Sequence, residues 1–200
     1  MAIEDRRERE RSERRRLIVT TARKLAETEG WDAVTTRRLS TEIEYSQPVL
    51  YKHFSGMEQI ADAVAVDGFG ELADAMRAAH SGGGAAEDVL TRIAQRYLDF
   101  ARDNPAVYDA MFTRATTLRF AAEDTPPQLE AAFAELHRAV RVVAEDDDAD
   151  ALTEVFWAAL HGLVILTRTG RLRPGHESDR LQLLVEKFAG KRHARTVHRK

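Results

Sequence analysis

The 200-residue chain has no cysteine. Disulfides, thiol nucleophiles and cysteine-held metal sites are therefore excluded, and the composition fits a reducing cytoplasm. Long apolar runs are also missing. The longest, Val155 to Leu166, is broken by His161 and Gly162 and falls short of the ~18 residues that a membrane span needs, so no membrane partner is expected. The first sixteen residues carry seven arginines, far too many for a secretory leader. No Gly-x-Ser-x-Gly occurs, and no glycine loop follows a strand, because Gly82-Gly83-Gly84 comes after a helical pattern and reads as a linker. An enzyme would need a nucleophile with its base, paired carboxylates or a cofactor loop; none stands out, and no cofactor is expected. Period-two alternation is missing too, and β-branched residues do not gather into strands.

What remains is helical. Apolar residues make up 44% of the chain, an ordinary share for a globular protein. The net charge of −3 gives no whole-chain sign of nucleic acid, but its distribution is uneven: +2 over residues 1–56, −10 over 57–190 and +5 over 191–200. A weakly basic head on an acidic body suits a protein that presents one end to DNA. By itself such a balance equally describes solvated helix faces.

Amphipathic periodicity and caps place about nine helices. The first runs from about Glu13 to Glu29 with the stripe Ile18, Ala22, Leu25 and Ala26, closed by Gly30. A short second helix follows Thr35 or Thr36 and ends near Ile43. A third follows Ser46 and carries Gln47 to Phe54, with Pro48 in its first turn. Longer helices are expected over 57–80, 86–103, 106–119, 127–144, 150–169 and 178–188. The fold class is all-α: a three-helix helix-turn-helix domain over residues 1–72, a larger helical domain over 73–190, and a basic tail at 191–200 that is expected to be disordered.

Residues 35–54 carry the functional signal. Leu39 and Ile43 give one short helix an apolar face, and Leu50 and Phe54 give the next one its own. So small a pair must lean on the first helix to be stable. The exposed set on the second of these helices is then Gln47, Pro48, Val49, Tyr51, Lys52 and His53, with Thr35 or Thr36 and Ser46 as the caps that open the two helices. These hydrogen-bonding, cationic and methyl-bearing groups suit base edges, thymine methyls and phosphates, in the turns where a recognition helix makes its contacts.

Ala22, Leu25-Ala26, Gly30-Trp31, Val34 to Leu39 and then Gln47-Pro48-Val49-Leu50-Tyr51-Lys52-His53-Phe54 resemble the N-terminal domain of the tetracycline-repressor (TetR) family, over residues 11–72. The resemblance implies that Gln47 to His53 form the recognition helix. It implies that Thr36 and Arg37 also reach DNA, and that Tyr51 and Lys52 hold phosphates or frame the groove. Two positions depart from the family pattern. Glu44 stands where Gly is usual in the turn, and Met57 where a phosphate-holding Lys is frequent. Arg14 to Arg16 are available to compensate. Phe156 to Leu163, Asn104 to Phe112 and Gly170-Arg171-Leu172 resemble the family branch named for Trp, His and Gly.

The resemblance further implies a repressor that binds a palindromic double-stranded operator as a homodimer and is released by a small-molecule effector. A helical interaction adaptor without DNA binding is the alternative. Candidate effector-pocket residues are Tyr97, Phe100, Tyr108, Met111, Phe112, Phe133, Trp157 and His161, though aromatic residues at helical spacing usually form core. Trp157 and His161, four apart, can equally pack against each other. His137, His161 and Glu135 lack metal-ligand spacing, and no metal site is expected. The expected dimer interface is a four-helix bundle built on Leu152, Phe156, Leu160 and Leu163 with Leu181, Leu184, Val185 and Phe188.

Overall fold

The computed structural model describes residues 2–114, 117–120, 122–144 and 148–190. Among these residues there are nine α-helices and no strand. They are α1 (Ala2–Glu29), α2 (Thr36–Glu42), α3 (Gln47–Tyr51), α4 (Met57–His80), α5 (Ala86–Asp103), α6 (Pro105–Phe112), α7 (Pro127–Val140), α8 (Ala149–Arg168) and α9 (Glu177–Ala189). A single 3₁₀ turn, Trp31–Ala33, links α1 to α2. The expected basic tail at 191–200 and most of the acidic loop before Asp148 lie outside the described residues.

Four helix ends differ from the sequence expectation: α3 stops at Tyr51 rather than Phe54 and α7 at Val140 rather than Ala144, and the other two have identifiable reasons. α1 begins at Ala2 rather than near Glu13. Its first turns bury no apolar stripe, so periodicity does not reveal them. Charge pairing one turn apart holds them instead, with Arg6 on Glu10 at 2.9 Å. α6 stops at Phe112, well before Arg119, and the Thr113 hydroxyl turns back onto the Asp109 carbonyl at 3.2 Å and its carboxylate at 2.9 Å. The Gly82–Gly84 joint is pinned, since Arg92 donates to the Gly83 carbonyl at 2.6 Å and the Asp88 carboxylate accepts the Ala85 N–H at 3.1 Å.

The elements form two compact units that interleave along the chain, where the sequence reading drew one cut at residue 72. One unit holds α1 to α3, α4 up to Ala73, α5 from Phe100, α6, and α7 up to Ala132. Its core is Ile18, Ala22 and Leu25 of α1, Leu39 and Ile43 beside α2, Leu50 and Phe54 beside α3, and Ile60, Val64 and Phe69 of α4, all buried. α6 joins it through close packing at Gly68, where an added Cβ would collide with Val107 and Met111. Polar ties fix α6 to α1. The Glu27 carboxylate accepts the N–H groups of Ala106 (3.1 Å) and Val107 (3.0 Å), satisfying donors left open at the start of α6. The Trp31 indole donates to the Ala106 carbonyl at 2.8 Å.

The other unit holds the remainder of α4, α5 and α7 with α8 and α9. Phe156, Leu160, Leu181 and Val185 are buried in it, and Phe156 meets Phe188 edge-on at 4.8 Å. Glu135, also buried, is paired with Arg77 and Arg138, each at 2.8 Å. Asp148 caps α8 by accepting from the Asp150 and Ala151 N–H groups. α8 is 20 residues long with a mean hydropathy of 1.4, long and apolar enough by composition to cross a membrane, yet only 22% of that window is buried. The sequence reading counted only the uninterrupted run and missed this. The apolar positions Leu152, Val155, Ala159, Gly162, Leu163 and Leu166 share a side of the helix distinct from that of Phe156, Leu160 and Val164.

Candidate nucleic-acid interface

α2 and α3 are held at an angle by a tight turn. Thr35 caps α2, its hydroxyl accepting the Arg38 N–H at 3.1 Å. The turn closes with Ile43 N–H on the Leu39 carbonyl (3.0 Å) and Tyr45 N–H on the Ser40 carbonyl (3.1 Å). These bonds require a left-handed residue between them, and Glu44 takes that conformation at φ 56. The position where Gly is usual thus keeps its left-handed conformation with a Cβ in place, and the chain accepts the cost. Ser46 precedes α3 in extended conformation without a side-chain cap bond, and Pro48 occupies the first turn.

α3 has only five residues. It is anchored by Leu50 and by Phe54 just beyond it, both buried. Opposite these anchors, Ser46, Gln47, Pro48, Tyr51 and Lys52 are exposed, with Val49 and His53 half-buried. On α2, Thr35 and Arg37 are exposed and Thr36 is half-buried. The unit thus brings the sequence-selected set to one helix-turn-helix. Arg38, on the same helix as Arg37, is occupied by Glu29 (3.1 Å) and Glu42 (3.0 Å).

Cations surround the far end of α3. Arg15 donates to the His53 carbonyl at 3.1 Å, and its guanidinium lies 4.1 Å from the centre of the Phe54 ring. It holds the end of α3 against α1, a role beyond that of a free arm. His53 is held below the usual imidazole value first by burial, then by the positive charges of Arg11, Arg14, Arg15 and Lys52. Arg11 was not singled out in the sequence. Its signal was available, four residues before Arg15 on the same helix. The result is a short helix with a polar outer face, bordered by four positive charges, which is the electrostatic form of a phosphate-binding surface.

This arrangement matches known proteins. The profile of "Bacterial regulatory proteins, tetR family" matches residues 18–64. A second, "Tetracyclin repressor-like, C-terminal domain", matches residues 90–188. The chain belongs to the TetR family. The family is one of transcriptional regulators rather than enzymes, and this TetR member is a DNA-binding helix-turn-helix regulator. It is 27% identical over 188 residues, 92% of this chain and 84% of the relative, to the uncharacterized HTH-type transcriptional regulator Rv0681 of Mycobacterium tuberculosis. Its fold is similar to that of a protein of unknown function from Rhodococcus sp. RHA1, with TM-score 0.70 and 24% identity over 88% of this chain and 93% of that one. It is also similar to that of the TetR-family regulator PfmR from Thermus thermophilus, with TM-score 0.56 and 16% identity over 86% and 94%.

The candidate pocket residues of this TetR regulator are distributed over both units. Phe100, Tyr108, Met111 and Phe112 belong to the first. There Phe112 sits edge-on to Phe69 at 5.2 Å and tilted on Tyr108 at 4.7 Å. Tyr97, Phe133, Trp157 and His161 belong to the second, where the Trp157 indole donates to the Tyr97 hydroxyl at 3.1 Å. Burial holds His161 below the usual imidazole value. Of the expected interface residues, Phe156, Leu160, Leu181 and Val185 are taken by the chain's own core, while Leu152, Leu163, Leu184 and Phe188 are half-buried. The large apolar side chains left exposed on α8 and α9 are Val155 (58%), Leu166 (38%) and Leu183 (54%).

Proposed function

We propose that this regulator is a repressor that binds a palindromic operator as a homodimer and leaves it when a small molecule binds. α3 enters the major groove. Gln47, Pro48, Val49 and Tyr51 face base edges and the groove wall, while Thr35, Thr36, Arg37, Ser46 and Lys52 hold phosphates, with His53 orienting the end of the helix. The observation that carries this reading is the exposed polar face of α3 beside Arg11, Arg14, Arg15 and Lys52.

A palindromic site needs two recognition helices about 34 Å apart, and hence a symmetric partner. The apolar side of α8 away from the core, Val155, Ala159, Gly162 and Leu166, supports a pairing surface, completed by Leu152, Leu163 and, from α9, Leu183 and Leu184. Gly162 has open space where a Cβ would be, so a partner helix can approach closely there. The effector reading rests on Tyr97, Trp157 and His161, polar-tipped aromatic groups within a helical unit. An effector releases the operator only by binding the DNA-incompetent state more tightly.

The test is a gel shift with duplex DNA from around the chain's own gene, followed by addition of compounds that raise its melting temperature. A retarded band that such a compound abolishes is the expected result. The absence of any retarded band at low salt would overturn the proposal and favour an interaction adaptor.

A further inference from the structure

The first thirteen residues of α1 lie beyond the buried part of the helix, since its apolar core begins only at Ile18. They form a helical projection with its own pattern. At 100° per residue, Arg7, Arg11 and Arg14 fall within about 60° of one another. That sector also contains Ile18 and Leu25, with Ala22 about 20° outside it, residues that turn α1 toward its core. The basic stripe is therefore the direct continuation of the core-facing side, on the side where α3 sits. Electrostatics agree, because both Arg11 and Arg14 depress the ionisation of His53 at the end of α3.

The other arginines of the projection are already engaged. Arg6 bonds Glu10 at 2.9 Å, and Arg9 donates to the Asp5 carbonyl at 3.2 Å. Arg7 and Arg11 are exposed, and Arg14 reaches Glu10 only at 3.8 Å. The projection thus engages Arg6 with Glu10 and Arg9 with the backbone on one side and presents a row of arginines toward the recognition helix, with Glu10 also near Arg14 and Arg7.

We infer that this projection is a second DNA-binding element, a helical arm whose stripe Arg7, Arg11 and Arg14 grips operator phosphates outside the groove read by α3. The inference rests on the proposed operator binding and deepens it. From Arg14 to Arg7 the helix rises about 10 Å, which matches about three base pairs of B-form backbone. The occupant is the phosphodiester backbone itself. With the stripe on the phosphates outside the groove read by α3, the arm adds affinity and footprint without adding sequence preference.

The test compares two double variants of the full chain with equal charge loss, on a duplex selected by the parent from a random library. Arg7→Gln with Arg11→Gln should lower the slope of log affinity against log salt by about two units per half-site, nearly four for a dimer on its palindrome, at ~0.9 for each phosphate no longer neutralised. Its hydroxyl-radical footprint should shrink by about three base pairs per half-site. Arg6→Gln with Arg9→Gln should leave both slope and footprint at parent values. Equal changes in the two pairs, or none in either, would overturn the arm. Failure of the parent to select any duplex would overturn the underlying operator reading as well, so the two failures are distinct. Helicity measured on both variants guards the comparison, and Arg7→Lys with Arg11→Lys should restore the slope.

Discussion

Replacing Glu44 with glycine should stabilise this protein, and the size of the effect can be worked from the turn. Glu44 sits at φ 56 between two helices whose closing bonds require that conformation. An L-residue with a Cβ loses about 1–2 kcal/mol there. Glycine removes that cost but adds about 0.5–1 kcal/mol of backbone entropy in the unfolded chain. The Glu44 side chain is exposed, so little else is lost. The net gain is about 0.5–1 kcal/mol, or a rise of about 1–4 °C in melting temperature for a chain of this size. Differential scanning calorimetry of Glu44→Gly against Glu44→Ala isolates the backbone contribution, because alanine keeps the strained conformation. The reasoning fails if both variants melt together, or if glycine melts below the parent.

Three further outcomes follow from the same structure. Operator binding should weaken steeply with salt, and Arg14→Gln should reduce the slope by about one unit for each phosphate this arginine neutralises; a slope equal to the parent's would remove it from the interface. Val155→Glu with Leu183→Glu should yield a helical monomer by light scattering, because both residues are exposed in the single chain, whereas a full-mass dimer would place the interface elsewhere. His53 and His161 are both held below 6.5, so below that pH the unfolded chain binds more protons than the folded one. Their contribution to stability is present above 6.5 and is lost as pH falls through the depressed values. Urea unfolding at pH 7.5 and 5.5 should show that loss, and His161→Gln should diminish it; a pH-independent midpoint would contradict the burial argument.

What was legible in the sequence had a local cause. Helices with an apolar stripe between clear breakers, 57–80 and 86–103, were placed to the residue. The helix-turn-helix was legible because short capped helices with Leu39, Ile43, Leu50 and Phe54 leave little choice of exposed face. The first turns of α1 were not, because charge pairs rather than periodicity sustain them. The role of Arg15 was hidden for a different reason. Its contacts to His53 and Phe54 cross 38 residues of sequence, and no spacing rule announces such a contact. The division of the α8 and α9 stripes was likewise unreadable. A helix with two apolar sides declares that both will be covered, but not which one the chain covers itself.

The most direct measurement of the central claim is the affinity of the full chain for its selected palindromic duplex, by fluorescence anisotropy, for the parent and for Gln47→Ala and Tyr51→Ala. Both side chains stand on the exposed face of α3, and Tyr51 is 53% exposed. Each substitution should cost about 1–3 kcal/mol of binding, roughly a ten- to hundredfold loss, with helicity and melting temperature unchanged. Parent-like binding by both variants would contradict the assignment of α3 as the recognition helix.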